Sequence, residues 1–257
     1  MASFNDGLIA ELIRQQVRLQ ACLARLAART DDEALHDLRI ALRKLRSLLR
    51  PLRGLPGVEV LDQAAGAVGA LSGPLRDREV LLVELGRFEM AAAVQWRRAE
   101  LERDYRRLLR RAEVHRLLTI LDAWPALWRT AAGNGLLPAL GTRVGKRLAR
   151  QRRRLIEALA DPAHDRHRLR LLIKRVRYGA EAYPSRAGIS AAPATALKAA
   201  QAALGDWHDR LQWLQRAESE ADLRDCCAAW RLDLSLAEQR ADQALLRLAS
   251  SLSRSGR

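Results

Sequence analysis

Cysteine is scarce in this chain: Cys22, and the adjacent Cys226 and Cys227, are the three it has in 257 residues. They are too few and too poorly spaced for a disulfide framework, which fits a reducing compartment. No run approaches 18 uncharged apolar residues, so no membrane-spanning helix is predicted. Met1 to Glu11 carries Asp6 and Glu11 and lacks a basic region followed by an apolar one, so no secretory signal is expected. The expected location is the cytoplasm, with no membrane partner. Aromatic residues make up 4% of the chain, β-branched residues are few, and no stretch sustains a period of two, which argues against strands. A phosphate loop, a nucleophile elbow, paired cysteines at metal spacing and a His-x-x-x-His pair are all missing. No catalytic residue, no metal and no cofactor are therefore predicted, and the chain reads as a non-enzyme. Lysine is rare as well, supplying four of the 45 basic residues.

What is present is arginine. The 45 basic and 30 acidic residues leave a formal net charge of +15, which points to a polyanionic partner. Compositional bias accounts for arginine in bulk, but not for its order. In the stretch His36-Asp37-Leu38-Arg39-Ile40-Ala41-Leu42-Arg43-Lys44-Leu45-Arg46-Ser47-Leu48-Leu49-Arg50, a helical turn of about 100° per residue puts His36, Arg39, Arg43, Arg46 and Arg50 within roughly 80° of one another. Leu35, Leu38, Leu42, Leu45, Leu49 and Leu52 repeat with the same spacing on a neighbouring face suited to burial. The helix thus presents a row of guanidinium forks on the order of 20 Å long. Each fork can hold phosphate or carboxylate through two parallel hydrogen bonds, so an extended anion is the expected ligand.

The pattern returns 131 residues later in His167-Arg168-Leu169-Arg170-Leu171-Leu172-Ile173-Lys174-Arg175-Val176-Arg177. His36 matches His167, Arg39 matches Arg170, Arg43 matches Lys174, Lys44 matches Arg175 and Arg46 matches Arg177. A second marker keeps the phase: Gly73-Pro74-Leu75-Arg76-Asp77 aligns with Gly205-Asp206-Trp207-His208-Asp209 at an offset of 132. Two markers at nearly one offset imply a duplicated helical module. One domain of two repeats is expected, 1–132 and 133–257, divided at Gly133-Asn134-Gly135 and Pro138.

The first repeat is predicted to hold a helix from Asn5 or Asp6 to about Arg29, then the His36 helix to about Arg53-Gly54. A helix over Val58 to Leu71 follows, stopped by Ser72-Gly73-Pro74, and then a short one over Arg76 to Leu85. One long helix is expected from Phe88 to about Trp128, bent or ended by Pro125. In the second repeat, Leu140 to Leu159 precedes a break at Asp161-Pro162, and the His167 helix stops at Tyr183-Pro184. Ala194 to Leu204, Asp206 to Arg216 and Glu218 to Leu252 complete the helices. The fold class is all-α.

Taken in order, the His36–Arg46 stretch, Arg76-Asp77-Arg78-Glu79-Val80-Leu81, the stretch from His167 through Tyr178, and Leu204-Gly205-Asp206-Trp207-His208-Asp209 closely resemble the CHAD family, the conserved-histidine α-helical domains. The resemblance spans nearly the whole chain. It implies two tandem pseudo-symmetric helical bundles with long helices, whose basic helices face a central groove or pore. It also implies binding of inorganic polyphosphate, which attaches some members to polyphosphate granules. Many members carry a triphosphate-tunnel hydrolase domain in the same chain; no such domain fits in these 257 residues, so a stand-alone version is expected. The resemblance assigns His36, Arg39, Arg43, Lys44 and Arg46 to the first basic motif, and His167, Arg170, Lys174, Arg175 and Arg177 to the second. Arg50 joins them from its place on the stripe. The chain departs from the family pattern at Arg168, at Gly179 where a larger residue is expected, and at His208, where other polar residues are common.

His36 and His167 admit three roles: phosphate donor, hydrogen-bonding residue within the bundle, or metal ligand. Asp37, Asp77 and Asp209 are expected to answer arginines of the stripe. The competing function is nucleic-acid binding through the same electrostatics. Against it, the six tryptophans fall mostly at core-like positions, leaving no basic and aromatic platform for stacking bases.

Overall fold

Apolar residues recurring every three to four positions give this chain helices, and helices pair through the stripes so formed. The computed structural model describes residues 4–161, 163 and 165–254; Met1 to Ser3 of the signal test and Pro162 of the expected break lie outside them. Among the described residues there is no strand, and ten α-helices account for most of the chain. It divides into two compact units, Met1–Val144 and Gly145–Arg257.

In the first unit, α1 (Phe4–Ala28) packs on α2 (Ala34–Leu49), which continues as a short 3-10 turn, Arg50–Leu52. Leu35, Leu38, Leu42, Leu45, Leu49 and Leu52 are all buried. Full burial of each such side chain contributes about 1.5–3 kcal/mol. The other side of α2 meets α3 (Val58–Gly86), which also receives α4 (Ala91–Leu109) and α5 (Ala112–Gly133). Gly57 opens α3 at φ +72, and a Cβ there would sit 2.9 Å from Leu127 Cδ2, so glycine is needed both for the turn and for the close approach.

Two expectations fail in this unit. The helix does not stop at Ser72-Gly73-Pro74; α3 runs through Pro74 to Gly86. Pro74 and Ala70 are both exposed, so the carbonyl that proline leaves without a donor faces solvent. On the opposite side, Arg39 of α2 donates to Gly69 O, which steadies the same turn. The single long helix over Phe88 to Trp128 is in fact two, separated at Arg110 and Arg111, with Arg111 extended at φ −70, ψ 135. A continuous helix of that length would run about 60 Å, past any partner. Folding back lets α4 and α5 both pack on α3. Pro125 lies inside α5 and does not end it.

The second unit is built on α7 (Arg166–Ala182), α9 (Ala191–Ser219) and α10 (Cys227–Arg254). Leu155 of α6 (Leu140–Ala160), Ile173, Val176, Leu197, Leu204, Trp207, Leu248 and the small Ala237 and Ala241 form one core. Asp165 caps α7 by accepting from the Arg168 N–H, and α7 ends just before Tyr183-Pro184 as expected. Pro184 then begins the one-turn α8 (Pro184–Ala187). Again the expected divisions shift. Gly205 does not separate two helices, because the buried stripe Leu197, Ala200, Leu204, Trp207 continues across it. That burial outweighs the cost of about 1 kcal/mol for a helical glycine. The helix expected from Glu218 is instead a 3-10 turn, Ala221–Cys226, pinned by buried Leu223 and Cys226, before α10 begins. No helix is long and apolar enough to cross a membrane, as the described residues show.

Candidate functional site

The cationic stripe of α2 does not lie on an open surface. His36, Arg39, Arg43, Arg46 and Arg50 are all half-buried, because the stripe turns toward α3. Arg39 Nη1 donates to Gly69 O at 3.0 Å and to Ser72 Oγ at 3.1 Å. Arg46 lies over Gly66, where a Cβ would stand 3.3 Å from Cζ, and its Nε donates to Asp62 Oδ1 at 2.8 Å. Asp62 also accepts from Arg53. Burial of this carboxylate opposes its charge, but the Arg46 and Arg53 guanidiniums outweigh that and hold it below the ordinary value. So Arg46 is an anchor between helices as much as a member of a row.

Arg39, Arg43 and Arg76 gather closely enough to act on one another. Burial pushes the Arg39 guanidinium down; Asp77 and Glu79 oppose this, while Arg76 and Arg43 add to it. Arg76 comes from α3 and pairs with Glu79 at 2.7 Å; Glu79 also accepts from Tyr105 of α4. Asp77 therefore answers the stripe as expected. Asp37 does not: it holds Arg25 of α1 at 2.7 Å. Lys44 follows Arg43 by about 100° round the helix and is exposed, on a different face from the stripe.

In the second unit, His167 is exposed in the first turn of α7, Arg170, Lys174 and Arg177 are half-buried, and Arg175 is exposed. The His167 ring stands 5.7 Å from that of His208 on α9. His208 is half-buried, and its Nδ1 is buried without a hydrogen-bond partner. Its pKa is driven down to about 4, first by burial and then by Arg170, His167 and Lys174. These four residues form one electropositive cluster drawn from two helices. Arg177 stands apart from it: Nε donates to Gln201 Oε1 at 2.8 Å, the guanidinium pairs with Glu181, and it lies 4.5 Å over the Tyr178 ring. Like Arg46, which it matches in sequence and which ties α2 to α3, Arg177 ties its helix to another, here α9.

Sequence reasoning took its candidates from one helix in each repeat and so left out Arg76 and His208. The signal was present, since both sit at one position of the second repeat marker. Two arginines of α6 act as ties: Arg143 donates to Arg53 O at 2.7 Å and Arg152 to Gly188 O at 2.6 Å. Gly179, an unexpected glycine in α7, faces Leu148 of α6, where a Cβ would come within 2.8 Å of Cδ2. Five of the six tryptophans are buried, and Trp96, 46% exposed, is covered on one face by Arg97 at 4.3 Å. Among the described residues no three His, Cys, Asp or Glu side chains come together to hold a metal ion.

A family model described as the CHAD domain matches residues 11–218. Among solved structures, the crystal structure of the CHAD domain from the plant Ricinus communis is similar at a TM-score of 0.73 and 22% identity, covering 98% of this chain and 92% of that one. PptA from Streptomyces chartreusis is similar at a TM-score of 0.59 and 20% identity, covering 95% and 99% respectively. At these identities the likeness is one of fold. No curated protein matches the chain.

Proposed function

Because the chain belongs to the CHAD domain family, we propose that it binds inorganic polyphosphate without catalysis, through the basic helices of its two repeats. The observation that carries this reading is the basic cluster of the second unit: the His208 ring, its Nδ1 buried without a hydrogen-bond partner, stands 5.7 Å from His167 with Arg170 and Lys174 beside it, a concentration of like charge that favours an anion. In the first repeat, Arg39, Arg43 and Arg76 supply the matching concentration of charge. Phosphate oxygens would be met by charge-assisted hydrogen bonds from these groups, with His36 and Arg50 in the first repeat and His167 in the second, while the exposed Lys44 and Arg175 would add charge from adjoining faces. A chain of identical phosphates has no sequence to read, so affinity comes from counterion release and requires no base-stacking surface. The same contacts would hold the protein on polyphosphate granules.

Competition provides the test. Long-chain polyphosphate is expected to displace RNA and DNA at comparable phosphate concentration; clear preference for either nucleic acid would overturn the reading in favour of a nucleic-acid binder. Sustained phosphate release or nucleotide consumption with added divalent metal would show an enzyme instead.

A further inference from the structure

We propose that the two repeats hold phosphate by different chemistry at the matching position: an anion bound against Arg170, Lys174 and His167 brings a proton from solvent onto the His208 imidazole, whereas Arg76 in the first repeat carries its charge with no proton taken up. The inference rests on the polyphosphate reading and deepens it. At the offset of 132, His208 is the one residue of the second marker whose counterpart, Arg76, carries a permanent charge. Arg76 pairs with Glu79, and Arg39 beside it is answered by Asp77 and Glu79. The second repeat is arranged otherwise. From α7, the His167 ring stands 5.7 Å from that of His208, whose Nδ1 is buried without a hydrogen-bond partner, and Arg170 and Lys174 add to the positive surroundings, so all three α7 groups acting on it are basic. On its own helix, Trp207 lies 6.2 Å from the ring, Asp209 is adjacent in sequence, and Arg210 reaches Asp233 of α10 at 3.9 Å. The other α10 carboxylates of this region, Glu238 and Asp242, hold Arg166.

A neutral imidazole inside a cationic cluster is the group most responsive to an arriving anion. A phosphate bridging the cluster replaces repulsion with attraction, and the imidazolium becomes a further donor to it. Proton binding and anion binding then strengthen each other by the same factor. Between the pKa of the empty protein, about 4, and the higher value of the complex, each pH unit of acidification tightens binding by up to about tenfold.

The test uses the full chain. Ring-proton NMR titration is expected to find His208 titrating near 4 alone and at least two units higher when saturated with tripolyphosphate. Long-chain polyphosphate, whose internal phosphates stay ionised over this range, is expected to bind at least tenfold more tightly at pH 5 than at pH 7.5. His208→Arg and His208→Gln both keep His36 and His167, so whatever those rings add cancels in the comparison; both variants should show a pH gain about tenfold smaller than the parent's, and His208→Arg should bind more tightly than the parent at pH 7.5. Binding with the same pH dependence in parent and both variants, or a His208 signal unmoved by tripolyphosphate, overturns the inference alone. Failure of polyphosphate to bind the parent at either pH overturns the functional reading and takes the inference with it.

Discussion

Arg46 and Arg43 are three residues apart on one helical face, yet their removal should have opposite consequences. Arg46 donates to Asp62, whose side chain is 5% exposed, so Arg46→Ala takes a charged hydrogen bond from a buried carboxylate. A loss of about 1.5–3 kcal/mol in chemical denaturation is expected, with polyphosphate affinity changed little. Because the Asp62 carboxyl is held below its ordinary value, this stabilisation is present above pH 4 and disappears as pH falls through the folded-state pKa. His208 is shifted in the same direction for the opposite reason, because its surroundings favour the neutral ring where those of Asp62 favour the charged carboxylate. Its folded pKa, about 4, is below the ordinary 6.5, so the unfolded chain binds the extra proton and stability falls as pH drops from 6.5 toward 4. His208→Gln should flatten that fall in thermal melts. Gly179 acts through space alone: the added methyl of Gly179→Ala meets Leu148 of α6, and overpacking of about 1–3 kcal/mol should exceed the gain in helix propensity. A melting temperature unchanged or raised by Gly179→Ala would show that Leu148 yields freely.

The course of α2 and α7 was legible at the scale of the element because a stripe depends only on residues three and four apart. Partners were not. Asp62 is 16 residues from Arg46, and Gln201 is 24 from Arg177, so neither could be read without knowing which helix docks on which. Pro74 and Gly205 misled for a related reason: local chemistry predicts an end, while the apolar face continues past them and packs. Where proline remains in a helix only by burial on the far side, replacing it should help. Pro74→Ala restores one backbone donor at an exposed site and is expected to raise stability by about 1–2 kcal/mol in denaturant titration, with the helix otherwise unaltered. A destabilised Pro74→Ala would mean that the bend itself is needed for packing. The basic faces call for the reverse experiment. Arg43→Glu combined with Lys174→Glu puts acid into both clusters and should lower polyphosphate affinity by more than tenfold. The melting temperature should hold or rise, since like charges are being relieved.

For the whole molecule, a formal charge of +15 favours an anionic partner, and on the proposed reading the basic motif that recurs in the sequence would meet that partner twice. Bulk charge alone would attract any polyanion weakly; on the proposed reading, half-buried guanidinium and imidazole clusters would add fixed contacts that persist when screening is strong. Salt separates these contributions. Each phosphate neutralised releases condensed counterions, so the logarithm of affinity falls linearly with the logarithm of salt concentration, by roughly 0.7–0.9 per contact. If the two clusters together engage about six phosphates, the slope is roughly −4 to −5, and affinity drops about two to three orders of magnitude between 50 and 200 mM salt. The Arg43→Glu and Lys174→Glu chain should show both weaker binding and a shallower slope, because it has lost contacts and not merely net charge. A variant carrying the same two charge reversals on exposed residues outside the clusters, such as Arg107 and Arg231, controls for the change in total charge. Equal slopes in the two variants would assign polyphosphate binding to diffuse surface charge, and the clusters of α2 and α7 would then have no special part in it.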